Sequence, residues 1–143
     1  MKLMVINGPN LARLDIRDSS IYGDLNYGEL KSLIEGAASN SGFVADVRQS
    51  NDEATIIGWL HEAADAKIPV IINPAAFTHY SYAIRDAAEL LTAPLIEVHL
   101  SNPMAREEFR HRSVISGIAH GTIAGFGPNS YVLAINALKA MLG

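Results

Sequence analysis

Two rhythms of apolar and polar positions alternate along the chain. Leu3 to Asn7 is a short apolar run stopped by Gly8-Pro9, which predicts a buried strand. Residues 8–25 have no period and carry Arg13, Asp15, Arg17 and Asp18. A loop this long in a small domain is often a lid or a binding loop. From Leu25 to Ser39, the positions Leu30, Leu33, Ile34, Ala37 and Ala38 keep helical spacing, and Asn40-Ser41-Gly42 ends them. Phe43 to Arg48 alternates as a half-exposed strand. Asp52 predicts the cap of a helix through Ile56, Ile57, Trp59, Leu60 and Ala63, with Trp59 in the core. Ile68 to Asn73 is a second fully apolar strand, closed by Pro74. A loop holding Phe77, Thr78 and His79 leads to a helix from Tyr82 to Leu91. Pro94 to His99 reads as a strand, Ala105 to His111 as a short charged helix, Gly121 to Phe126 as the last strand and Asn129 to Leu142 as the last helix. Strand followed by helix, repeated along the chain, predicts a parallel sheet wrapped on both faces. There is no repeat, low-complexity stretch or linker, so one domain over residues 1–143 is expected.

Composition narrows the possibilities. A chain of 143 residues is about one domain and can bury a substantial core. The absence of cysteine removes disulfides, thiolate metal sites and a cysteine nucleophile. A net charge of -4 argues against nucleic acid as the main partner. The longest run without a charged residue, Ser113 to Leu138, contains Gly117, Gly121, Gly125, Gly127 and Pro128, unlike a membrane span. The apolar stretch Leu3 to Ile6 is too short for a signal-peptide core. A soluble cytoplasmic protein is expected. Charged residues make up only 18%, below the average of about 25%, which fits a chain that either hides its apolar surface well or shares it with copies of itself.

In sheets of this kind, ligands bind outside the carboxyl ends of the strands. Those ends are rich in Asn and His: Asn7 and Asn10, then Gln49-Ser50-Asn51, Asn73, and finally Glu97, His99, Ser101 and Asn102. Glu97 and His99 stand two apart on a strand and share a face. They suit a histidine oriented by a carboxylate, or a purely structural pair. His79 is a candidate ligand or a helix-capping residue. Asp86, seven residues on, would lie about 10 Å away if both were on one helix, so it is either a surface charge or serves a neighbouring subunit. An arginine near Tyr22 would favour its phenolate. Arg106 and Arg110, four apart, would hold a carboxylate if stacked on one helix, or pair with Glu107 and Glu108. No dinucleotide fingerprint, phosphate loop, nucleophile elbow or ordinary metal spacing occurs. The remaining Tyr, His, Arg and Asn suit proton transfer on a small polar anion, with no cofactor expected. The competing reading is a non-enzymatic module that binds a nucleotide or signals through a partner. It lacks both the hydroxyl-rich loop and the clustered strand-end aspartates that such modules need.

Six spaced motifs now stand in order: Asn7-Gly8-Pro9-Asn10-Leu11; Ile21-Tyr22-Gly23; Gln49-Ser50-Asn51; Asn73-Pro74-Ala75-Ala76-Phe77-Thr78-His79; Ile96-Glu97-Val98-His99-Leu100-Ser101-Asn102; and Arg106-Glu107-Glu108-Phe109-Arg110-His111. Together they closely resemble the type II dehydroquinase family over essentially the whole chain. The resemblance implies a flavodoxin-like, doubly wound, five-stranded parallel α/β sheet and a dodecamer built from trimers. It also implies removal of water from 3-dehydroquinate to give 3-dehydroshikimate, in the shikimate or quinate pathway, without metal or cofactor. It makes Tyr22 the base and His99, oriented by Glu97, the acid. Arg17 on the lid stabilises developing charge, and Asn10 helps to hold a water at the enolate. Asn73, His79, Leu100, Ser101 and Arg110 match substrate-binding positions, and Asp86 matches a residue that reaches a neighbour's site. The chain departs from the family in three places: Leu14-Asp15-Ile16-Arg17-Asp18-Ser19 lacks the usual lid glycine and proline, Tyr80 replaces a threonine, and Asn73-Pro74 is followed by alanine where glycine is common.

Overall fold

The apolar runs form the centre of a five-stranded parallel sheet in a computed structural model that describes residues 1–143. The strands are β1 (Lys2–Asn7), β2 (Val44–Gln49), β3 (Val70–Asn73), β4 (Leu95–His99) and β5 (Gly121–Ala124), in the order β2-β1-β3-β4-β5. The order reverses between β1 and β3, which opens a crevice at their carboxyl ends. Register puts Asn7 level with Gln49 on one side and with Asn73 on the other.

Side chains alternate along each strand and divide the core in two. Leu3, Val5, Ile71, Ile96 and Val98 pack under α2 (Tyr27–Asn40) and α5 (Asn129–Leu142). Met4, Ile6, Val70, Ile72 and Leu95 pack under α3 (Glu53–Ala66) and α4 (Tyr82–Ala88). Asn26 and Glu29 form a capping box at α2, and Asp52 caps α3 through Thr55 as the sequence predicts. No helix is long and apolar enough to cross a membrane.

Several boundaries differ from the sequence reading. Residues 8–25 are ordered into a 3-10 turn, Leu11–Ile16, and a short helix α1, Ser19–Tyr22, capped by Asp18. Short-range hydroxyl and carboxylate caps made this order, and they leave no apolar period to read. Ile68 lies just past the end of α3, tied back to it by its N–H donating to the Ala63 carbonyl, so β3 starts later than its apolar run. The last strand stops at Ala124 because Gly125 turns the chain at φ +94°. The charged helix expected over Ala105 to His111 is two 3-10 turns, Pro103–Ala105 and Glu108–His111. Arg106 between them is extended (φ -118°, ψ -163°), its side chain drawn towards Tyr22 and Ser101. Trp59 is half-buried at the edge of the core, with the Arg48 guanidinium 5.6 Å from its ring centroid.

Two loops meet closely where β1 and β3 end. Gly8 N–H donates to the Asn73 carbonyl at 2.8 Å. A Cβ on Gly8 would stand 2.6 Å from the Pro74 carbonyl oxygen, so only glycine lets the loops approach this far.

Candidate active site

The crevice holds a cavity of about 110 Å³ lined by Asn10, Arg17, Tyr22, Asn73, His79, His99, Leu100, Ser101, Arg106 and Arg110, among others. Three of these are arginines and none is a carboxylate, so the lining favours an anion. The short helix α1 presents Tyr22 to the cavity. The Arg17 guanidinium lies 3.5 Å from the centre of its ring, and Arg106 Nη2 donates to its hydroxyl at 2.6 Å. Arg106 Nη1 also donates to Ser101 Oγ at 3.2 Å. The Arg106 Nε–H is buried with no hydrogen-bond partner in the chain, the Glu107 carboxylate standing 3.9 Å away. A buried N–H left in that state costs about 1–3 kcal/mol, which makes it a fitting donor for a ligand. Burial pulls the Arg17 guanidinium below its ordinary value, Tyr22 opposes that, and the charges of Arg106 and Arg110 add to it.

β4 supplies the other half. Glu97 is fully buried, and His99 sits at the strand's end with Nε2 2.5 Å from Glu97 Oε2. That contact leaves Nδ1 as the ring nitrogen available to the cavity. Burial alone would raise the Glu97 carboxyl, but the hydrogen bond and charge of His99, with Ser116 and Thr78, outweigh it and hold Glu97 below the usual carboxylate range. His79 Nδ1–H donates to the Arg112 carbonyl at 2.7 Å, so Nε2 carries the lone pair when the ring is neutral.

The asparagines divide into two roles. Asn7 is fully buried behind the rim, where Tyr131 donates to its Oδ1 at 2.6 Å. Asn73 donates to the same Tyr131 oxygen at 2.9 Å and remains in the cavity lining. Asn10 takes a left-handed conformation (φ 69°), which asparagine tolerates, with its N–H held by Asn51 Oδ1 at 3.0 Å.

Asp86 does not join the cavity. It is exposed on α4 and shares no helix with His79, because the chain breaks at Tyr80 and restarts with Ser81 as cap. Arg106 and Arg110 are not stacked on a helix, yet both line the cavity. Of the two, the sequence reading assigned a site role by resemblance to Arg110 alone. A charged residue with no periodic context offers no signal of its own, but four-residue spacing to Arg110 beside a Pro-containing turn was available. Thr78, Ser113 and Ser116 around Glu97 also went unassigned. Tyr80 is 58% exposed, outside the cavity lining, and meets Phe77 edge-on at 5.9 Å.

Ala75 occupies one of the two alanines after Asn73-Pro74, and its φ is +51°. Its N–H donates to Asn73 Oδ1 at 3.1 Å, so the strained turn also orients a lining side chain. A left-handed L-residue costs about 1–2 kcal/mol, partly offset by the entropy that glycine loses on folding. Ala75→Gly should therefore stabilise the fold by up to about 1 kcal/mol, read as a melting temperature a few degrees higher. An unchanged or lower melting temperature would show that the turn carries no such strain.

The fold and the site thus define a class: an acid–base site for a small anion at the switch point of a flavodoxin-like α/β sheet. The comparisons make the assignment specific. The family model for dehydroquinase class II matches residues 1–139. The chain is 55% identical over 140 residues to a 3-dehydroquinate dehydratase of Mycobacteroides abscessus, covering 98% of this chain and 97% of the relative. It is 50% identical to a 3-dehydroquinate dehydratase of Salinispora tropica, covering 98% of both. The crystal structure of a type II dehydroquinase from Propionibacterium acnes superposes with a TM-score of 0.95 at 47% identity, covering 97% of this chain and 96% of that one. The chain belongs to the class II dehydroquinase family.

Proposed function

We propose that the protein dehydrates 3-dehydroquinate to 3-dehydroshikimate, as a type II hydro-lyase of the shikimate pathway. Family membership supports this, and one observation carries it at the site. A tyrosine hydroxyl is bonded to one guanidinium and its ring lies beneath another, in a cavity that also presents a carboxylate-oriented histidine. That pairing supplies a base and an acid for loss of a proton and a hydroxyl from one small anion.

The steps follow from the groups. The C2 proton of the substrate is acidified by the adjacent ketone. Tyr22, as phenolate, takes that proton, and the C–H electron pair moves into an enolate. Arg17 and Arg106 offset the negative charge as it moves from the phenolate to the substrate. Asn10 helps to hold a water at the enolate oxygen. The enolate then collapses, the C1–O bond breaks, and His99 Nδ1–H protonates the departing hydroxyl, which leaves as water. Asn73 and His79 hold ring hydroxyls together with Arg110, while Ser101 and the Leu100-Ser101 backbone receive the carboxylate. The same elimination would serve quinate breakdown.

The test is direct. The purified protein with 3-dehydroquinate should develop the ultraviolet absorbance of the conjugated enone, with a chelator present. No change at high enzyme concentration would sink the reading. The proposal includes a cytoplasmic setting, tested by cell fractionation, and a dodecamer of trimers in which Asp86 reaches a neighbour's site. Exposed Asp86 outside its own cavity, one helical turn from exposed Tyr82 on α4, supports the assembly. Light scattering should return the mass of a dodecamer, and a monomer's mass would overturn that part.

A further inference from the structure

Glu97 is a carboxylate on the face of β4 that should be apolar, and the chain surrounds it with hydroxyls. Thr78 Oγ1 donates to its Oε2 at 2.5 Å, the oxygen that also meets His99. Ser116 Oγ donates to Oε1 at 2.5 Å. Ser113 Oγ lies 3.2 and 3.3 Å from the two carboxylate oxygens and 2.7 Å from Thr78 Oγ1. The direction of this cluster is set from outside it. Ser113 Oγ accepts the backbone N–H groups of Ile115 at 3.0 Å and Ser116 at 2.9 Å. With both lone pairs used, its own hydrogen must point to Thr78 or to Glu97. Thr78, receiving Ser113, passes its hydrogen on to Glu97. A proton placed on Glu97 would therefore meet hydrogens where it needs lone pairs, and the backbone amides of the 113–116 turn oppose a reversal.

We propose that Thr78, Ser113 and Ser116 are positioning residues for the elimination: they keep Glu97 an anion aimed at His99 Nε2, so that the imidazole can carry the proton it delivers from Nδ1. This rests on the reading of His99 as the acid. The low proton affinity of Glu97 agrees with it. The neighbouring strands add no charge, since β3 presents Ile72 opposite Glu97 and β5 presents Thr122. The titratable or charged groups that share a cavity with Glu97 are His99 on its own strand, His79 after β3, and Arg110 and His111 on the turn after β4. The stretch that carries the serines also anchors His79 through the Arg112 carbonyl, so one segment backs both histidines.

The experiment pairs a direct titration with turnover. Glutamate labelled with ¹³C at the side-chain carboxyl reports protonation of Glu97 in the free enzyme, and kcat and KM are followed against pH. Ser116→Ala should move the Glu97 titration upward by about one pH unit, the scale of losing one donor to a charged acceptor. At neutral pH Glu97 stays ionised in the variant, so kcat should fall only several-fold, through looser aim of the carboxylate at His99, with KM little changed because Ser116 does not touch the substrate. Thr78→Val should act the same way, while Ser116→Thr and Thr78→Ser, which keep the hydroxyls, should restore the wild-type profile. A Glu97 titration unmoved in both Ser116→Ala and Thr78→Val overturns the proposal whatever the turnover. A moved titration with a lowered kcat supports it, and a moved titration with wild-type kcat in both variants overturns the positioning role, since the elimination would then not need the anchored carboxylate.

Discussion

Tyr22→Phe should lower kcat on 3-dehydroquinate by about 10²–10⁴-fold, the span that a positioned general base contributes. The substitution removes one oxygen and little else. The ring keeps its place on α1, and the Arg17 guanidinium, 3.5 Å from its centroid, still has an aromatic face to rest on. Tyr22 is only partly buried and packs at the margin of the core, so melting temperature and KM should change little. What is lost is the proton acceptor and the acceptor for Arg106 Nη2. Steady-state kinetics by enone absorbance, beside a thermal melt of the same preparation, separates a catalytic loss from a folding loss. Turnover within a few-fold of wild type would mean that another group takes the C2 proton. His79 Nε2, the other lone pair at the cavity, would then be the group to replace next.

The sequence made the sheet legible because β1, β3 and β4 are central parallel strands, buried on both faces and hence continuously apolar. The same rule exposed Glu97: a charge inside such a run stands out, and its spacing to His99 put both on one face, as a catalytic or a structural pair. Asp52 was legible as a cap because capping is a local matter of one side chain and three residues. Order in residues 8–25 was not, since Asp18 capping α1 and Asn51 holding Asn10 depend on contacts with no periodic trace. The division among the asparagines was also hidden. Asn7 and Asn73 look alike as strand ends, and both meet Tyr131, far along the chain on α5, yet only Asn73 lines the cavity. The strain at Ala75 is a property of φ, which an alanine does not announce. Arg106 illustrates the cost of a wrong local element. Read as helical, it pairs with Arg110 as a carboxylate clamp; in its extended conformation it turns to Tyr22 instead.

That change of place gives Arg106→Ala the second large effect, a fall in kcat of about 10²–10³-fold, comparable to deleting one donor from a preorganised charge-stabilising site. The truncation takes a cation from the Tyr22 oxygen and a donor from Ser101 Oγ together. The charge moving from the tyrosine oxygen into the enolate then has one guanidinium beside it in place of two. Arg17 cannot substitute for it, because its guanidinium lies over the ring face, whereas Arg106 Nη2 meets the oxygen. Loss of the long stem also opens space at Ser101, so KM should rise several-fold as well. Arg106→Lys is the discriminating partner. An ammonium restores charge but cannot bridge Tyr22 and Ser101 in one planar fork, so it should recover only a fraction of kcat. Full recovery by lysine would reduce the role of Arg106 to charge alone. A wild-type kcat in Arg106→Ala, with KM alone raised, would make it a substrate-binding residue and leave Arg17 as the sole cation serving Tyr22.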